Sequence, residues 1–212
     1  MRAFIAIEIP ADVRDAIAAA QQHMSSAKVR ISWVKPDNIH LTVKFLGDIP
    51  DEGVDDIKAA LDNIAARFAA FSFTVTGAGA FPSPSAPRVL WLGCESKPVG
   101  RVFVPVVEGA PTTVKGHVET LTQLEELISA VDTEMEKHGF APDFHEFKAH
   151  ITLGRIKFPK PDPALTSALD SLKTKTFGTV QVNALYLMKS DLNPDGAVHN
   201  KLSSHPLRSG TK

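Results

Sequence analysis

Two histidines, His40 and His150, each stand two residues before a threonine, in His40-Leu41-Thr42-Val43 and His150-Ile151-Thr152-Leu153. Side chains two apart on a strand leave from the same face, so each motif sets an imidazole beside a hydroxyl while its apolar residues enter a core. Chance supplies about 0.1 copies of such a His-apolar-Thr-apolar pattern in this composition, so two copies point to a shared task. Histidine titrates near neutrality, and of two imidazoles one can take a proton while the other gives one. Displacement at phosphorus needs both transfers, on opposite sides of an in-line geometry, with donors on the non-bridging oxygens. Threonine hydroxyls are such donors. A metal centre is the competing chemistry, but neither motif carries a Cys, Asp or Glu on its strand face, and threonine is a poor ligand. No metal or other cofactor is expected. A packed-core role suits either histidine alone better than the matched pair.

Around the motifs, Lys44 lies two residues after Thr42 and is expected on the His40 face, adding positive charge. Arg155, three residues past Thr152, is within reach of a phosphate. Phe45 points opposite to Lys44 and is assigned to the core. Phe81 and Phe147 are candidates for stacking on a base, with packing the default. His199 is a candidate for flanking the cleft, with a bland position preferred. His23, His117, His138, His145 and His205 are assigned to surface or loops, and Cys94 to a structural role.

The elements that position the motifs follow from periodicity. Residues 4–9 read as a strand stopped by Pro10, and Ala11 to about Met24 as an amphipathic helix. Residues 31–34 and 40–45 read as a hairpin turning at Lys35-Pro36-Asp37-Asn38. A helix is expected from Asp51 to Ala66, then strands at 71–75 and 89–92 separated by a loop from Gly77 to Pro87. Residues 95–119 read as an irregular crossing with one short strand at 102–107. A helix follows from Leu121 to His138, stopped by Gly139, then a strand at 149–156, a short helix at 164–173, a long strand at 180–188 and a turn at Asn193-Pro194-Asp195-Gly196. Both halves thus run strand, helix, His-bearing strand, helix, which suggests one duplicated, bilobal α+β domain spanning residues 1–212.

With 212 residues, 43% of them hydrophobic, the chain can bury a proper core. It has no apolar run near the roughly 18–20 residues a membrane span needs. The single cysteine cannot form an internal disulfide and fits a reducing cytoplasm. A net charge of -1 excludes a protein that coats duplexes, so any nucleic-acid contact is local, at one end or one phosphate. Nothing calls for an obligate partner, and a monomer is expected.

Several blocks resemble the 2H phosphoesterases, specifically the bacterial and archaeal RNA 2',3'-cyclic phosphodiesterases, also called 2'-5' RNA ligases. They are Arg2 to Ile7, Trp33 to Gly47, Gly79 to Pro82, Arg88 to Gly93, His150 to Arg155, and the tail from Ser190 to Leu207. The resemblance implies an α+β fold with two antiparallel sheets around a central cleft, helices outside, and one His-x-Thr motif from each lobe. It also implies hydrolysis of a 2',3'-cyclic phosphate on RNA or oligonucleotide ends to a 2'-phosphomonoester. His150 would be the general base and His40 the general acid, with Thr42, Thr152, Lys44 and Arg155 binding substrate. ATP-independent 2'-5' ligation would be the same chemistry reversed. A small-molecule cyclic phosphate, such as an ADP-ribose derivative, and a non-catalytic RNA-end binder are the alternatives. Three positions depart from the family pattern: Ala149 replaces a common proline, residues 95–119 are longer than usual, and His199 stands where an aromatic is frequent.

Overall fold

The Phe4-to-Ile7 run is buried on both faces, which places this strand in the interior of a sheet flanked on both sides. The computed structural model describes residues 1–106, 115–142, 148–193 and 196–209, with backbone only for 99–106 and 115–121. In chain order the elements are β1 (Arg2–Glu8), α1 (Ala11–His23), β2 (Ser32–Trp33), β3 (His40–Asp48), α2 (Val54–Ala65), β4 (Phe71–Phe81), β5 (Val89–Ser96) and β6 (Pro98–Val106). Then come β7 (Lys115–Thr122), α3 (Gln123–Lys137), β8 (His150–Arg155), α4 (Pro163–Ser171), β9 (Thr176–Val182), β10 (Ala184–Asn193) and β11 (Gly196–Pro206).

The main sheet is antiparallel, in the order β11-β10-β1-β3-β8-β5-β4-β9, with β2 added to β8; β6 and β7 form a separate two-stranded sheet. Two four-stranded halves, β11-β10-β1-β3 and β8-β5-β4-β9, join through β3 and β8, whose ladder consists of the one pair Leu41↔Ile151. The α+β expectation holds, with its two sheets fused at this narrow seam. Helices α1 on β9, α2 on β10 and β11, α3 on β3 and β5, and α4 on β4 cover the sheet. Their apolar stripes, including Val13 and Ile17, Leu61 and Ile64, Leu124 and Val131, and Leu165 and Leu169, enter one core with Leu41, Leu90, Ile151 and Leu187. Leu41 and Ile151 are fully buried there, which sends their polar neighbours to the opposite face.

Local chemistry fixes several ends. Thr122 and Glu125 form a capping box that starts α3, and Gly139 follows that helix at φ 87°. Asp162 caps α4 through Ala164 and Leu165 N–H and also accepts from the main chain of Lys28 and Val29, tying the segment after α1 to α4. Four expectations are corrected. β2 does not turn back on β3; it pairs with β8, Trp33 opposite Gly154. β4 runs through the supposed loop to Phe81, because Gly77 takes φ 67° at a register shift and Gly79 leaves room for Trp91, whose ring a Cβ would meet at 2.3 Å. The stretch 95–119 contains two paired strands, β6 and β7, rather than one short one. The long final strand is two, β9 and β10, in different halves of the sheet. Pro194 and Asp195 of the expected last turn lie outside the described residues, but the flanking pair Asn193↔Gly196 closes a hairpin.

Candidate active site

Antiparallel pairing at Leu41↔Ile151 sets His40 across from Thr152, and Thr42 across from His150. The seam therefore carries two imidazoles and two hydroxyls on one face, related by an approximate two-fold. Directly opposed residues have Cβ atoms about 5 Å apart and diagonal ones roughly 7–8 Å, a separation with room for one small anion between diagonal side chains.

Both rings are held in the same way. His40 Nδ1 lies 2.7 Å from the Asn38 carbonyl and His150 Nδ1 lies 2.6 Å from the Lys148 carbonyl, each two residues upstream. A carbonyl only accepts, so Nδ1 carries the proton and Nε2 keeps its lone pair. Asn38 belongs to a 3-10 turn, Pro36–Asn38, which its side-chain amide ties to the Ala197 carbonyl of β11 at 2.6 Å. Aromatic rings set the planes. Phe4 stacks on His40 at 4.7 Å, and Phe81 meets His150 edge-on at 5.1 Å while leaning on Trp91. Phe81 is thus a wall of the His150 site. Phe147 and His145 lie outside the described residues, as does the side chain of His117.

Burial makes protonation of both rings costly. His40 is pushed down to about 4, by burial first and also by nearby His199, against the opposing pull of the Asn38 carbonyl. Burial likewise lowers His150 below the usual histidine value, opposed by the Lys148 carbonyl and reinforced by the positive charge of Arg155. Burial raises the Cys94 thiol above its ordinary value, which makes it a poor nucleophile.

A cleft of about 680 Å³ opens over the seam, lined by His40, Thr42, Thr152 and His199 together with Arg2, Arg30, Lys35 and Arg155. His150, diagonal to His40 across the seam, is not among its lining residues. Among the described residues the lining holds four basic side chains and no Asp or Glu, in a chain whose net charge is -1. This local concentration of positive charge favours an anionic ligand.

Lys44 is not in the cleft. Ile5 pairs with Lys44 and Ala6 with Thr42, so Val43 is an extra residue on β3, a bulge that turns Lys44 to the core side. There Lys44 is 2% exposed, paired with Asp132 of α3 and bonded to the Ala141 carbonyl. The same bulge turns Phe45 outward, 62% exposed and lining the cleft, where the sequence had assigned it to the core. His205 is corrected as well: it is buried, bridging Asp62 of α2 and Ser203. Phe4, Arg2, Arg30 and Lys35 went unselected because their roles depend on which strands become neighbours. Among the described residues no three or more His, Cys, Asp and Glu side chains converge as a metal site would require.

Paired imidazoles with flanking hydroxyls beneath a basic cleft form an arrangement suited to binding and turning over a phosphoester. The chain belongs to the LigT like phosphoesterase family, whose model matches residues 7–91 and 117–199, spanning both motifs. It is 31% identical over 212 residues to a Thermus thermophilus protein named RNA 2',3'-cyclic phosphodiesterase, covering 98% of this chain and 91% of that one. A protein of the same name from Methanothermobacter thermautotrophicus is 28% identical over 202 residues, 95% and 96% of the two chains. Among solved structures, one from Thermus thermophilus aligns over 100% of both chains with TM-score 0.74 and 26% identity. Escherichia coli LigT complexed with 3'-AMP aligns over 97% of both chains with TM-score 0.66 and 22% identity, a likeness of fold. Between its two blocks the family match leaves out residues 92–116, which overlap most of the stretch 95–119.

Proposed function

We propose that this enzyme hydrolyses the 2',3'-cyclic phosphate at RNA or oligonucleotide ends to a 2'-phosphomonoester, using His40 and His150 as the acid and base and no metal. The observation that carries the reading is the single pair Leu41↔Ile151, which brings both His-Thr motifs to one face. The names of the aligned relatives support the cyclic phosphate as substrate. In the reaction, His150 Nε2 takes a proton from water as the water oxygen bonds to phosphorus. The bond from phosphorus to the 3' oxygen breaks, and His40 gives that oxygen its proton. Thr42, Thr152 and Arg155 donate to the non-bridging oxygens.

His40 is neutral near pH 7 in the free protein, so its acid role depends on the substrate. An anionic phosphodiester beside an imidazole favours the charged form, so His40 takes up a proton from solvent as the ligand binds. With a 5'-hydroxyl in place of water, the same two transfers would join ends through a 2'-5' bond. The reading takes the protein as a monomer, since one chain supplies both histidines, and as cytoplasmic, since its single cysteine fits a reducing compartment. Lys44, held on the far side of the sheet, has no part in it.

The test is release of 2'-phosphate from a short RNA ending in a 2',3'-cyclic phosphate, in EDTA, beside a small cyclic ester such as an ADP-ribose derivative. Turnover of the RNA end undiminished by EDTA is expected. Loss of all activity in EDTA would sink the metal-free mechanism, preference for the small ester would change the substrate, and tight binding without product would leave a binder.

A further inference from the structure

His199 stands in the cleft with no part in the chemistry above. It is carried by β11 opposite Ser190 of β10, and its ring meets His40 edge-on at 5.3 Å and Phe4 at 4.9 Å. Its Nδ1 is buried and has no hydrogen-bond partner among the described residues. His40 and His150, by contrast, each give Nδ1–H to a carbonyl.

The contrast fixes the tautomers. A buried N–H without an acceptor costs about 1–3 kcal/mol, and orphaned buried N–H groups are rarer than under-satisfied acceptors. The proton of neutral His199 therefore sits on Nε2. Forming the imidazolium would put a second proton on the enclosed Nδ1, and burial already holds this ring below the usual histidine value. The imidazoles thus divide into two with a free Nε2 lone pair and one with an Nε2–H.

We infer that His199 is a substrate-binding residue whose Nε2–H donates a hydrogen bond to a phosphoryl oxygen beside His40. The ligand's identity rests on the proposed phosphodiesterase reading; the tautomer does not. Ring centres 5.3 Å apart lie within the span that one phosphate bridges with two hydrogen bonds of about 2.8 Å each. A neutral donor there holds the phosphate, whereas a charged His199 would repel the proton on His40, the direction in which it lowers that ring. A phenylalanine could keep the contacts with Phe4 and His40 but could not donate.

Two measurements on the full-length protein test this. Nitrogen NMR of labelled histidines is expected to show His199 as the Nε2–H tautomer and His40 and His150 as Nδ1–H, with the His199 Nε2–H signal moving when a nucleoside 2'-phosphate is added. In titrations with that nucleotide, His199→Phe is expected to weaken binding about tenfold, the loss of one hydrogen bond to a charged group. His199→Gln, whose amide nitrogen reaches the place of Nε2, should restore most of it, and His199→Asn should not. An Nδ1–H tautomer at His199, or binding by His199→Phe equal to wild type, overturns the contact alone. A wild-type protein that binds no nucleotide and turns over no cyclic phosphate overturns the phosphodiesterase reading and the contact together.

Discussion

His40 begins its strand pinned at Nδ1, stacked on Phe4 and pushed down to about 4 by burial, while His150 is shifted the same way in a more open setting. Because kcat/KM reports groups of the free enzyme, both shifts move its optimum. The kcat/KM profile on a cyclic phosphate is expected to be bell-shaped, with its maximum on the acid side of 6.5, the unshifted histidine value. The two limbs belong to the pair rather than to either residue. The kcat profile, reporting the complex, should peak at higher pH, because the bound phosphate favours the protonated rings. A kcat/KM maximum above neutrality would contradict the burial of both rings.

The same shift has a consequence for stability. The unfolded chain takes up the His40 proton near pH 6.5, whereas the folded protein refuses it down to about 4. The contribution of His40 is thus complete above pH 6.5 and is lost as pH falls through that window, by up to about 3 kcal/mol. Urea unfolding at pH 7 and pH 4.5 should show a smaller acid loss in His40→Gln than in wild type; equal losses would place the titration elsewhere.

At the scale of elements, the His-Thr motifs were legible because period-two alternation puts His and Thr on one face wherever the strand is regular. The strand stops being regular one residue later. The extra Val43 sends Lys44 inward and Phe45 outward, and no local pattern marks it, since a bulge is stated only against the partner strand β1. Non-local pairing hid β2 in the same way. Nothing in Ile31 to Val34 says that its neighbour is β8, more than a hundred residues on, rather than β3. The helices were read to within a few residues because their apolar stripes repeat over about two to four turns, and Gly139 marked the stop of α3 correctly. Buried Lys44 and its partner Asp132 tie β3 to α3, so Asp132→Ala is expected to destabilise the protein by about 3 kcal/mol. Its KM should stay within about twofold of wild type, because on this geometry truncating Asp132 disturbs a buried ion pair rather than a cleft contact. Urea unfolding and steady-state kinetics on one preparation check both; a raised KM with intact stability would return Lys44 to the cleft.

Across the whole molecule, two four-stranded halves meet at one residue pair, and the reactive groups sit on that seam, two from each half. On the proposed reading the duplication has a physical use: one strand motif repeated about an approximate two-fold would give two proton-transfer groups on opposite sides of one ligand, as in-line displacement needs. The basic cleft over the seam in a nearly neutral chain limits attraction to that place.

Acid and base that work on one phosphate act as a unit, and groups that act as a unit do not lose activity additively. The decisive measurement is therefore single-turnover hydrolysis of an RNA 2',3'-cyclic phosphate by wild type, His40→Ala, His150→Ala and the double variant. Each single change is expected to cost about 10²- to 10⁴-fold, and the double variant to fall no further than the worse single one. Wild-type rates in either single variant, or losses that multiply in the double, would show that the two histidines do not share one reaction.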